Sequence, residues 1–111
     1  MDLGKIMRYA QTCPALEGDE VVRNYFSTDR ITFGMSELLA GQHGAIDTGH
    51  SEADEVFFCA EGHVLCLFVN EGKYYELYKG DALLIPQTEP HQLFNIGETK
   101  ATILFACAPK P

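Results

Sequence analysis

The chain is expected to be all-β, a barrel or sandwich, and two observations carry that expectation. Short runs rich in β-branched, aromatic and aliphatic residues recur along it, with Gly and Pro between them. No long amphipathic helical window competes with these runs. A length of 111 residues suits one domain, 1–111, and no linker, repeat or low-complexity tract divides it. Apolar residues make up 46% of the chain, enough for a packed core. A chain this short buries a limited share of its surface, so a partner subunit would help it.

The runs come in order. Val21–Phe26 and Arg30–Leu39 open the series. Glu55–Ala60 and His63–Asn70 are separated by Glu61-Gly62, a short turn signal. Lys73–Tyr78 follows the turn Asn70-Glu71-Gly72, and Ala82–Ile85 stops at Pro86. His91–Ile96 ends at Gly97, and Lys100–Ala108 is the last. Asp47–Asp54 is expected to hold a turn rather than a helix.

Strand periodicity assigns faces. Glu55, Phe57 and Cys59 share one side of their strand, and His91, Leu93 and Asn95 share one side of theirs. If Glu61-Gly62 is a two-residue hairpin turn, Val64, Cys66 and Phe68 lie on the same face as Glu55. Each face then carries a candidate ligand at one end and apolar residues beyond it. A barrel can hold a polar site at its mouth over an apolar interior in that way. Phe57, Cys59, Cys66, Leu93 and Asn95 are therefore the pocket candidates, with core packing the ordinary role of the two cysteines.

Charge and cysteine content exclude several classes. Sixteen acids against eight bases give a net charge of -8. Phosphate binding needs clustered Lys and Arg, so nucleic acid is not an expected partner, and an anionic membrane surface is disfavoured for the same reason. The acidity itself serves solubility. Met1–Ala10 contains no apolar stretch of the signal-peptide kind, and no window approaches the ~20 apolar residues of a membrane helix. Cys13, Cys59, Cys66 and Cys107 form no CxxC pair, and three of them sit in apolar runs. Free thiols in a reducing cytoplasm are the expectation.

Two segments carry chemistry. The first runs from Gly44 through His50-Ser51-Glu52 to Glu55 and ends at Gly62. The second contains Gly80, Pro86, Thr88, His91 and Asn95. Together, over about 44–62 and 80–95, they resemble the two motifs of the cupin superfamily. In that family the first motif reads Gly, five residues, His-x-His, three or four residues, Glu, six residues, Gly. The second reads Gly, five residues, Pro-x-Gly, two residues, His, three residues, Asn. The first matches at Gly44, His50, Glu55 and Gly62, and the second at Gly80, Pro86, His91 and Asn95. Thr88 stands where Gly is usual, and His50-Ser51-Glu52 stands where His-x-His is usual, with the interval to Glu55 one residue short.

The resemblance implies a double-stranded β-helix, or jelly-roll barrel, of two antiparallel sheets. It further implies a divalent metal at the barrel mouth, usually a homodimer, and a small-molecule ligand. His50, Glu55 and His91 are the implied metal ligands. Glu52 either takes the place of the absent histidine or points to solvent, with water completing the shell. Two imidazoles with one or two carboxylates suit Fe, Mn, Ni or Zn without choosing among them. Open positions on such an ion accept substrate oxygens.

Other residues have plainer readings. His43, in a loop or strand end, is a surface residue or an auxiliary ligand or acid–base group. His63 faces away from Glu55 by parity. Tyr74, Tyr75 and Tyr78 belong to packing or a dimer face. Fold alone does not set a reaction. The leading reading is a metalloenzyme of isomerase, lyase or dioxygenase type on a small, polar, oxygen-rich metabolite. The alternative is a non-catalytic binding or sensor barrel, metal-free in one form. A metal-free epimerase using a His–carboxylate pair is the third.

Overall fold

The computed structural model describes residues 3–109. Among these described residues nine strands form: β1 Ala15–Glu17, β2 Glu20–Ser27, β3 Thr32–Leu38, β4 Asp54–Glu61, β5 His63–Phe68, β6 Lys73–Tyr78, β7 Ala82–Ile85, β8 His91–Asn95 and β9 Ala101–Ala108. A single 3-10 turn, Tyr9–Gln11, precedes them. The strands make two antiparallel sheets, as the sequence predicts: six strands in the order β1-β2-β3-β9-β4-β7, and three in the order β6-β5-β8.

Alternation explains the packing. In β4, Glu55, Phe57 and Cys59 are buried while Val56 and Phe58 are exposed. In β5, Val64, Cys66 and Phe68 are buried, and in β8, His91, Leu93 and Asn95 are. Leu38, Phe57, Cys59, Val64, Cys66, Phe68, Leu77, Ile85, Leu93, Ala101 and Ile103 form one cluster between the sheets. Burial of such side chains stabilises by roughly 1.5–3 kcal/mol each before entropy is counted.

One pairing departs from expectation. Glu61-Gly62 does not close a hairpin, because β4 and β5 belong to different sheets. Gly62, at φ +96°, turns the chain from one sheet to the other. A Cβ there would lie 2.8 Å from Ala101 Cα, so glycine is required by both conformation and space. Cys59 and Cys66 both point inward, but across the interior rather than along a shared sheet. Strand β1 was not anticipated either. All three of its residues are exposed, so it carries no apolar run, and it pairs only with β2 at the sheet edge.

The open side between the sheets is closed by the loop 42–47. Gly44 N–H donates to Leu93 O at 2.9 Å, and Asp47 exchanges both backbone bonds with His91, at 2.8 and 2.9 Å. On its other side, the Ala45 N–H donates to Glu17 O at 3.1 Å. This loop ties β8 to the β1–β2 corner and fixes Asp47 opposite His91.

Candidate metal centre

His91 is the first residue of β8 and is 2% exposed. Its Nδ1 lies 3.0 Å from Glu89 O. A ring N–H donated there leaves the Nε2 lone pair facing the interior, the way a backbone carbonyl usually orients a metal-binding imidazole. Glu55, the second residue of β4, is 5% exposed. His91 Nε2 and Glu55 Oε1 approach to 3.1 Å, and neither makes an aligned hydrogen bond within the protein. Two buried electron-rich atoms this close require a proton or a cation between them. Phe57 sets its edge against the His91 ring, with centroids 5.4 Å apart.

His50 and Asp47 stand near this pair, but in different donor groups: His50 groups with Glu55, Asp47 with Glu55 and His91. His50 Nε2 is 3.6 Å from Glu55 Oε1, and Asp47 Oδ2 is 3.7 Å from His91 Nε2. Asp47 Oδ1 accepts the Gly49 N–H at 2.9 Å, which aims the carboxylate. The His50 carbonyl accepts the Thr88 N–H at 2.8 Å, linking the two motif loops. Thr88 holds φ +67°, a left-handed conformation that glycine would adopt without strain.

Two overlapping triads can each offer three donor atoms within 4.8 Å of one another: Asp47, Glu55 and His91, and His50, Glu55 and Cys107. Glu55 is common to both. Glu52 is in neither; it is exposed on the loop before β4. The shortened interval to Glu55 leaves it outside the barrel, and Asp47 is the second carboxylate facing His91. Among the sequence candidates, Phe57 and Leu93 line the cavity above the triads, whereas Cys59, Cys66 and Asn95 do not. Cys59 Sγ turns to the carbonyls of Glu61 and Gly62, at 3.6 and 3.5 Å. Cys66 is fully buried in the core cluster. Asn95 is structural: its Nδ2 donates to Leu38 O and Thr99 O, and its Oδ1 accepts the Gly97 N–H.

Sequence reasoning missed Asp47 and Cys107. Asp47 had no strand parity to place it. Cys107 shares a strand face with Ile103 and Phe105, but only the β9–β4 register sets it opposite Glu55. The remaining histidines lie outside. His43 is exposed, its ring 5.8 Å from that of Phe94. His63 stacks on Tyr78 at 4.2 Å and pairs with Glu76 at 2.6 Å.

The cavity concentrates acidic side chains. Its volume is about 200 Å³, and Glu17, Glu20, Asp47 and Glu55 line it without a Lys or Arg. Glu17 is exposed as a whole but lines the cavity, where partial desolvation, with Asp47 and Glu55 adding, raises its carboxyl above its ordinary range. Burial pulls the His91 imidazole down, but the nearness of Glu55, the Glu89 carbonyl and Asp47 outweighs it, and the net direction is up. Burial, then the Glu55 charge, pushes the Cys107 thiol well above the usual range.

Glu20 is pushed from 4.5 to about 7, chiefly by burial, although the Ser36 hydroxyl donates to it at 2.5 Å. A Cβ on Gly44 would meet this carboxylate, which would have to shift to admit it. Between pH 4.5 and about 7 the folded chain holds a proton that the unfolded chain releases. Stability attributable to Glu20 therefore falls as pH rises through that window. The gap from 4.5 to about 7 corresponds to at most about 3 kcal/mol at 1.36 kcal/mol per pH unit. Glu20→Gln, which can still accept from Ser36, is expected to flatten that slope and to be more stable than wild type above pH 7. Urea unfolding across pH checks this, and parallel curves for the two chains would refute it.

The comparisons agree with this architecture. The family model described as "Cupin domain" matches residues 34–107. The chain is a member of the cupin family. An uncharacterized protein of Methanocaldococcus jannaschii is 35% identical over 60 residues, 54% of this chain and 46% of that one. The chain thus spans about half the length of that curated relative. Among solved structures, KdgF from Halomonas sp. superposes with a TM-score of 0.80 at 16% identity, covering 97% of this chain and 96% of that one. A predicted oxalate decarboxylase from Thermotoga maritima gives 0.78 at 16% identity, covering 94% and 98%. The polyketide cyclase RemF from Streptomyces resistomycificus gives 0.76 at 16% identity, covering 97% and 81%. At these identities the likeness is one of fold. Among the described residues, no helix is long and apolar enough to cross a membrane.

Proposed function

We propose that the chain binds a divalent ion at the barrel mouth through His50, Glu55 and His91, with Asp47 rather than Glu52 as the further carboxylate. The observation that carries this reading is the unpartnered contact between His91 Nε2 and Glu55 Oε1, both buried. The bound ion would supply Lewis acidity to a substrate oxygen. The chain's own residues set what enters. Phe57 and Leu93 give the cavity an apolar wall, and its carboxylates repel anions. A small, neutral, oxygen-bearing metabolite fits that lining better than a polyanion does. The proposed reaction class stays with isomerase, lyase or dioxygenase types; the similar folds, a predicted oxalate decarboxylase and a polyketide cyclase among them, do not choose one.

A metal-free binding barrel is the second reading, favoured by the raised proton affinity of His91, which could pair with Glu55 as an imidazolium. Titration of the demetallated protein with Zn(II) by calorimetry separates the two. Saturation at one ion per chain is expected. Absence of binding would sink the metal reading and leave the second. The homodimer expected from the family would cover the exposed outer row Phe33, Val56 and Leu84, aligned through Ala106 across β3, β9, β4 and β7. The mass in solution decides that. The cysteines among the described residues are free.

A further inference from the structure

We infer that Cys107 is itself a ligand, so that the centre is a mixed nitrogen, oxygen and sulfur site. The inference rests on the metal reading above and adds a donor that the two motifs do not contain. Cys107 pairs with Glu55 across the β9–β4 register, so its side chain emerges on the same inner face one strand away. It is 2% exposed and lines the cavity. Its Sγ, a His50 ring nitrogen and a Glu55 oxygen lie within 4.8 Å of one another. Independently, Glu55 Oε1 is buried and unpartnered, and Glu55 is the residue common to both triads. An ion held by the Glu55 carboxylate and His50 is within reach of the thiol.

The other buried thiols behave differently. Cys59 faces backbone carbonyls and Cys66 packs in the core, and neither lines the cavity. Coordination by Cys107 breaks the S–H bond, forms a sulfur–metal bond and releases the proton to solvent, with no change in oxidation state. A bound cation inverts the local electrostatics that otherwise hold the thiol protonated. A thiolate in the donor set selects the softer borderline ions, Zn(II), Fe(II), Co(II) or Ni(II), over Mn(II) or Mg(II).

X-ray absorption on the Zn(II)-loaded wild-type protein tests this without any variant. A sulfur scatterer at about 2.3 Å is expected. Co(II)-loaded protein should show a near-ultraviolet thiolate charge-transfer band that persists in Cys59→Ser and Cys66→Ser and disappears in Cys107→Ser. A bound ion with only nitrogen and oxygen scatterers, or a band that survives Cys107→Ser, would overturn the inference and leave the metal reading standing. A protein that takes up no ion overturns both.

Discussion

His91→Ala is expected to weaken divalent-ion binding by about 100-fold or more, the upper range that loss of an outer-shell partner alone produces. In free energy that is about 3 kcal/mol. The reason is positional. His91 alone faces both Glu55, at 3.1 Å, and Asp47, at 3.7 Å, and its Nδ1 is committed to Glu89 O. Removing the imidazole takes away the one nitrogen that faces both carboxylates and leaves His50, 3.6 Å from Glu55, as the remaining imidazole ligand. Calorimetric titration of the folded variant with Zn(II) reads the loss. Affinity within a few-fold of wild type would show that the ion, if bound, sits elsewhere.

Ile103→Ala should produce the opposite pattern, a large loss of stability with metal affinity retained. Ile103 is 1% exposed and lies on β9, between β3 and β4, in register with Ser36 and Cys59. It belongs to the core cluster but does not line the cavity. Truncating a buried isoleucine forfeits its transfer free energy and leaves a void that a close-packed barrel cannot collapse, at a cost of about 2–5 kcal/mol. Denaturant unfolding measures it, and a loss under about 1 kcal/mol would mean the interior relaxes around the gap. The two variants together separate the parts of the chain that build the barrel from the part that furnishes its mouth.

The motif residues were legible because each has a local reason to be where it is. Alternation in β4 and β8 assigns Glu55 and His91 to inner faces without knowledge of neighbouring strands. Glycine at position 62 is readable as a turn, but not as a crossing between sheets, because both uses exploit the same freedom at positive φ. The same limit applies to Asn95. Its inward direction was legible, but its three hydrogen bonds to the Leu38, Gly97 and Thr99 backbone depend on where those loops pass.

The sequence by itself determined the all-β architecture, the inward faces of the strands and the candidates His50, Glu55 and His91, since strand period and motif spacing are local properties. Only the tertiary structure decided which donors meet. It put β4 between β9 and β7, bringing Cys107 beside Glu55. It threaded the loop 42–47 against β8, bringing Asp47 to His91 while Glu52 stays outside. Strand adjacency and loop path are set by global packing, which no short window of residues encodes.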